Sequence, residues 1–223
     1  FGALTALDGV DMTIGRGKIV GLLGPNGSGK TTMIKILNGL LTPTSGTALI
    51  EGEAPGPKTK AVVSYLPDKP YFASWMRVRD AIELFQDFYR DFDRVKADDM
   101  CRELGLDESK QIKTLSKGTQ EKMQLMLVMS RHAHLYLLDE PIAGVDPAAR
   151  DAILDTILTN DCENSTVFIS THLISDIEKV LDEAVFLKEG RVVLHEAVET
   201  IREREGKSVD AYFREMFRVT GQN

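Results

Sequence analysis

The chain has 223 residues, of which 43% are hydrophobic, and a formal net charge of −7. That length and composition provide for one domain, or a domain with a lobe, around a sizeable core. The acidic balance argues against a nucleic-acid partner, because phosphate binding relies on clustered Lys and Arg. The longest apolar runs are far too short to span a bilayer.

The chain opens abruptly at Phe1 without a signal peptide, and a first strand is expected to be trimmed away. KIVGLL (18–23) is an apolar run ending in Gly and predicts a buried strand. GPNGSGKTT (24–32) follows, too rich in glycine for a helix or a strand. From 31 to 41 the residues Ile34, Leu37 and Leu41 keep helical spacing, so the glycine stretch joins a strand to a helix. EGEAPGPKTK (51–60) reads as a loop from its Gly and Pro.

Val78, Ile82, Phe85, Tyr89 and Phe92 predict a helix over 78–92, and a second over 94–104 stops at Gly105. A third, over 119–130, is apolar nearly all round and is expected to be buried. LYLL (135–138) and STVFIS (165–170) read as buried strands. Between them Asp146-Pro147 supplies an N-cap with Pro at the first helical position, opening a helix with Ile153 and Ile157 on one side. EAVFLKEGRVVLH (183–195) predicts a hairpin turning at Glu189-Gly190. From Ser208 a closing amphipathic helix turns Val209, Phe213 and Met216 inward. Strands alternating with helices imply an α/β core with a largely parallel sheet, and the helix-only stretch 72–130 reads as a separate lobe. Cys101 and Cys162 form neither a CxxC pair nor a metal spacing and read as reduced thiols.

GPNGSGKT (24–31) satisfies GxxxxGK[ST], the Walker A pattern, in the strand–loop–helix context that pattern requires. Its glycines let successive N–H groups of Gly24, Asn26, Gly27, Ser28 and Gly29 turn inward as an anion nest around which Pro25, without an N–H, helps to shape the loop, and the helix N-terminus adds its positive dipole. Lys30 is expected to reach the β- and γ-phosphates, Thr31 to bind Mg2+ through its hydroxyl, and Thr32 to join the phosphate cradle. The stretch reads as a site for a nucleotide triphosphate. LYLLDE (135–140) ends a strand in Asp139, placed to hold Mg2+, and the adjacent Glu140 is placed to polarise a water for attack on the γ-phosphate.

LSKGTQEK (115–122) resembles the ABC signature LSGGQ: Leu115, Ser116 and Gly118 match, whereas Lys117 and Thr119 depart. IAGVDP (142–147) resembles the D-loop with Asp146 in its acidic slot, and His172 follows a strand where ABC ATPases keep the H-loop histidine. The chain therefore resembles the nucleotide-binding domain of an ABC transporter over essentially its whole length. YLPD, LSKG and THLISDIE are similar to the ATPases of bacterial bacitracin-type export systems. The resemblance implies a P-loop NTPase with a RecA-like core, an antiparallel β subdomain and a helical lobe, with 1–71 and 131–223 as the core and 72–130 as the lobe. It implies ATP and Mg2+ as ligands, and Glu140 and His172 as catalytic residues. Two such domains would sandwich two ATPs, with Ser116 and Gly118 of each closing on the other's nucleotide. Separate transmembrane permease subunits would hold the chain at the cytoplasmic face of the plasma membrane.

Two departures qualify the carry-over. Asp68 in SYLPDKP (64–70) replaces the Q-loop glutamine; it could still face Mg2+ but cannot donate an N–H. The adenine-stacking aromatic would be Phe1, at the very edge of the chain. Tyr71, Phe72 and Trp75 precede the helical pattern and are the expected contacts for a membrane subunit. Alternative readings are a soluble ABC ATPase of translation or repair, or a low-turnover regulatory subunit of a heterodimer. Only about eighty residues separate Walker A from the signature, too few for the long coiled coil of repair types.

Overall fold

The strand expected at 18–23 forms over Ile19–Leu23 (β1), every residue buried. A computed structural model describes residues 5–143, 145, 147–159 and 165–218 of the chain. After β1 come α1 (Lys30–Leu37), α2 (Pro57–Lys60), β2 (Val63–Leu66), α3 (Val78–Phe88) and α4 (Arg94–Glu103). A short 3-10 turn at Ile112–Thr114 leads to α5 (Lys117–Met129), β3 (Leu135–Asp139), α6 (Pro147–Thr159), β4 (Thr166–Thr171) and α7 (Ile174–Ile177). The chain closes with β5 (Glu183–Lys188), β6 (Arg191–Ala197), α8 (Val198–Glu205) and α9 (Val209–Arg218).

Among the described residues the strands form one sheet in the order β2-β3-β4-β1-β5-β6. All pairings are parallel except β5–β6, the hairpin that carries the antiparallel component. Side chains alternate across the sheet, so β1 sends Ile19 and Leu23 to one apolar cluster and Val20 and Leu22 to another. Helices on both faces bury these strands, and that is why they read as continuous apolar runs rather than as alternating ones. The hairpin turns where expected, with Glu189 (φ 49°) and Gly190 (φ 80°) both left-handed.

Several boundaries differ from the sequence reading. α1 stops at Leu37 rather than 41, because Gly39 adopts φ 67° and closes a Schellman cap: Leu40 N–H donates to Lys35 O at 2.8 Å and Gly39 N–H to Ile36 O at 2.9 Å. Gly105 ends α4 in the same way, with Leu106 N–H on Cys101 O at 2.8 Å. The 51–60 stretch is not all loop, since Pro57 starts the one-turn α2 and Thr59 caps it through Gly56. The edge strand β2 has no counterpart in the sequence reading. α3 ends at Phe88, not 92: Tyr89 turns extended, and 91–93 pair instead with 130–132. Asp146, Cys162 and Phe1 lie outside the described residues.

Between the neighbouring strands β2 and β3 the chain makes only helices and turns, and α3, α4 and α5 share one cluster with the β-sheet face. In the last helix Val209 is buried, while Phe213 and Met216 lie half-buried against the same cluster, with Phe213 edge-on to Phe186 at 5.3 Å.

Candidate active site

The three adjacent strands β3, β4 and β1 run parallel, so their carboxyl ends open at one edge of the sheet, where the strand order also changes direction. β1 delivers the glycine loop there, β3 delivers Asp139 and Glu140, and β4 delivers Ser170, Thr171 and His172.

The glycines of the loop are used differently. Gly27 and Gly29 take φ of 82° and 109°, a region costly for other residues. Gly24 is needed for space: a Cβ there would stand 2.4 Å from Leu187 O and 2.5 Å from Ser28 Oγ. Pro25 O accepts from Ser28 N–H at 3.2 Å, which curls the loop around Asn26. Ser28 is buried, and its Oγ has no partner. Lys30, only 6% exposed, donates to Gly24 O at 2.8 Å and Pro25 O at 3.3 Å, and lies 3.5 Å from Glu140 Oε1. A cleft of about 500 Å³ opens over the loop, bounded by Asn26, Gly27, Gly29, Lys30, Thr31, Thr32, Asp68, Glu140 and the Glu189-Gly190 turn.

Asp139 is buried at the end of β3. Its Oδ1 accepts from Thr31 Oγ1 at 3.2 Å and from Ser170 Oγ, whereas its buried Oδ2 has no partner. Burial pushes the Asp139 carboxyl above its ordinary value of 3.8; the Ser170 and Thr31 hydrogen bonds oppose this, and the charges of Asp68 and Glu140 add to it. Tyr65 is pushed up as well, by burial first and then by Asp139 and Asp68. Asp68 thus lines the cleft within electrostatic reach of Asp139. A bare carboxylate oxygen beside a threonine hydroxyl is the donor chemistry of a hard divalent cation, so Thr31 and Asp139 fit Mg2+, with Asp68 on the same side.

Glu140 adopts φ 52°, a strained value for a non-glycine residue. Its N–H is held by Ser170 O at 3.0 Å and Ser170 Oγ at 3.2 Å. The carboxylate is gripped at both ends, by Lys30 on Oε1 and by His172 Nδ1 at 3.0 Å on Oε2. A base aimed into the cleft and fixed by two neighbours can take a proton from a water bound there.

The structure does not bring Ser116 and Gly118 to this cleft. Ser116 stands exposed as the N-cap of α5, its Oγ accepting from Thr119 N–H at 3.2 Å. Sequence reasoning missed Ser170, which holds both Asp139 and Glu140. Only the β3–β4 register, which sets Asp139 beside Ser170, discloses it. It also missed Thr5, Ala6 and the hairpin turn as walls of the cleft.

A strand, a glycine loop and a helix in this geometry, with an acid at the end of a neighbouring parallel strand, define the P-loop class of α/β proteins. A family model described as ABC transporter matches residues 7–143, and the chain belongs to that family. It is 32% identical over 186 residues to the ABC transporter ATP-binding protein YtrB of Bacillus subtilis, covering 82% of this chain and 64% of that one. It is 28% identical to the lantibiotic transport ATP-binding protein SrtF of Streptococcus pyogenes, covering 87% and 85%. A solved structure described as the ATP binding subunit of an ABC transporter superposes with a TM-score of 0.86 at 28% identity, over 97% of this chain and 95% of that one. The chain spans 64% of YtrB and 59% of a Nostoc relative, less than two thirds of either.

Proposed function

We propose that this chain is the ATP-binding and ATP-hydrolysing subunit of a bacterial ABC transporter, driving export through separate transmembrane subunits by ATP-dependent dimerisation. The observation that carries the reading is convergence: Lys30, Thr31, Asp139, Glu140 and the His172 that holds Glu140 meet at one cleft. Lys30 and the loop N–H groups bind the phosphates. Mg2+, held through Thr31 and Asp139 with Asp68 beside it, supplies neutralising charge to the phosphate oxygens when bound. Glu140 accepts a proton from the attacking water, and His172 and Lys30 keep its carboxylate aimed. Phe1 is assigned to the adenine.

The exposed Ser116 and the half-buried Gly118 are assigned to the nucleotide of a second copy or paralogue, which accounts for their distance from the cleft of their own chain. The core is assigned to 1–71 and 131–223 and the helical lobe to 72–130. Docking of the permease falls to Tyr71 and Trp75, which are 50% and 70% exposed, beside a groove lined by Lys35, Tyr65, Lys69 and Tyr89. Phe72 instead packs against the core, 6.1 Å from the Phe85 ring. Among the described residues no helix is long and apolar enough to cross a membrane, which suits a subunit held at the cytoplasmic face by partners. SrtF's name supports a peptide as the transported class.

The test is Mg2+-dependent ATPase activity of the chain, alone and co-purified with the product of a neighbouring membrane-protein gene. Absence of ATP binding at millimolar nucleotide overturns the ATPase reading. Failure of the neighbouring membrane protein to co-purify with the chain or to change its ATPase activity overturns the transporter reading alone.

A further inference from the structure

Among the described residues, the bulkiest side chain that is almost fully buried is a charged one. Arg131, 2% exposed, lies in the turn between α5 and β3. Such a guanidinium is tolerated only when its donors are satisfied, and here the partners come from two distant segments. Nε and Nη2 donate to the two Asp91 oxygens at 3.1 and 3.0 Å, and the guanidinium stacks on the Tyr89 ring at 3.8 Å. Nη1 donates to Val63 O at 2.6 Å, and Nη2 reaches Ala61 O at 3.2 Å and Lys60 O at 3.4 Å.

Tyr89 and Asp91 form the corner between α3 and α4. Lys60, Ala61 and Val63 are the end of α2 and the start of β2. Neighbouring bonds reinforce the junction: His132 N–H donates to Asp91 O at 2.9 Å, Asp93 N–H to Ser130 O at 2.7 Å, and Ser64 Oγ to Val128 O at 2.8 Å. From the junction two elements lead outward. β2 ends at Leu66, two residues before Asp68 in the bend that follows, and α5 runs back through thirteen residues to its N-cap Ser116, about 20 Å at 1.5 Å per residue.

We propose that Arg131 is a positioning residue that pins the α3–α4 corner to β2 and so fixes Asp68 and Ser116 relative to each other. The inference rests on the functional reading of those two residues. Asp68 faces the nucleotide of its own chain and Ser116 that of a partner, so one buried fork sets the geometry of both contributions. A lysine cannot replace it, because a point cation on a single nitrogen cannot reach a carboxylate and three carbonyls spread over the arms of a guanidinium.

The test compares wild type with Arg131→Lys and with the double variant Arg131→Met/Asp91→Leu, which removes the buried pair while keeping apolar bulk. All are read at a temperature where circular dichroism shows them fully folded. In Arg131→Lys, amide exchange in 61–71 is expected to speed up about tenfold, the factor of one charge-assisted hydrogen bond. The kcat is expected to fall by a similar factor with the ATP dissociation constant unchanged, and half-saturating Mg2+ to rise, since Asp68 is assigned to the metal side. The double variant is expected to melt near wild type yet keep the fast exchange. Unchanged exchange in 61–71 with wild-type kcat in folded Arg131→Lys overturns the proposal and leaves a merely structural pair. Should Arg131→Lys not fold, Asp91→Asn, which keeps the fork and one acceptor, is read in the same way. A wild type without ATPase activity defeats the functional reading instead, while the exchange experiment still judges the junction.

Discussion

Replacing Glu140 with Gln separates the chemistry of the cleft from its binding. The free protein holds Glu140 Oε1 3.5 Å from Lys30 Nζ, with both side chains largely buried at 15% and 6% exposure. At an effective dielectric of about 20, that attraction is about 5 kcal/mol before desolvation is counted. Desolvation of a buried pair offsets most of that attraction, so the net is taken as about 1 kcal/mol. A neutral Gln releases Lys30 from this competition and removes one negative charge facing the triphosphate. ATP is therefore expected to bind up to about fivefold more tightly, since 1.4 kcal/mol is a factor of ten. Turnover is expected to fall by about 10²–10⁴, the range for a lost general base. The Gln amide can still accept from a His172 N–H, so the local geometry survives. The assay pairs fluorescent-nucleotide titration with phosphate release, and light scattering reads the mass, which should double as an ATP-bound dimer accumulates. Near-normal turnover refutes the base assignment and turns suspicion to His172. Weaker ATP binding refutes the competition argument.

Lys30→Ala should abolish tight Mg·ATP binding, because the cation at the mouth of the loop is lost; an unchanged dissociation constant removes the loop assignment. Ser116→Arg should leave nucleotide binding by the monomer intact and block dimer closure, since Ser116 stands away from the cleft; loss of monomer binding would sink the sandwich. Asp68→Ala should raise the Mg2+ needed for half-maximal activity, and Asp68→Asn should raise it less; superimposed titrations would take Asp68 away from the metal. The last concerns stability. Burial pushes the Glu183 carboxyl up, but hydrogen bonds from Lys18 and His195 and their charges outweigh it and hold the group below its ordinary value of 4.5. A lowered carboxyl stabilises the fold above its unfolded value, and that stability is lost as pH falls through the folded value. Glu183→Gln should thus cost about 1–2 kcal/mol at pH 7, and the gap in urea midpoints should shrink as pH falls below the ordinary value of 4.5; a gap independent of pH would discount the Lys18–Glu183–His195 cluster.

The glycine loop was legible in the sequence because backbone freedom, a cation and paired hydroxyls at fixed spacing have few other uses, and each lies within nine residues of the next. The same holds for strands whose apolar runs are buried on both faces, for Gly105 as a helix stop and for the Glu189-Gly190 turn, where the φ of one or two adjacent residues decides the local outcome. What lies far apart in the chain was decided by the tertiary structure. Ser170 could not be assigned until β3 and β4 paired in register. The bare Oδ2 of Asp139 became visible only once the neighbours filling its other side were placed. α3 keeps its helical pattern to Phe92 yet stops at Phe88, because Asp91 satisfies the Arg131 guanidinium and the corner must turn to reach it. Local propensity is worth a few tenths of a kcal/mol per residue, whereas leaving that buried charge unpaired costs several, so the long-range contact prevails.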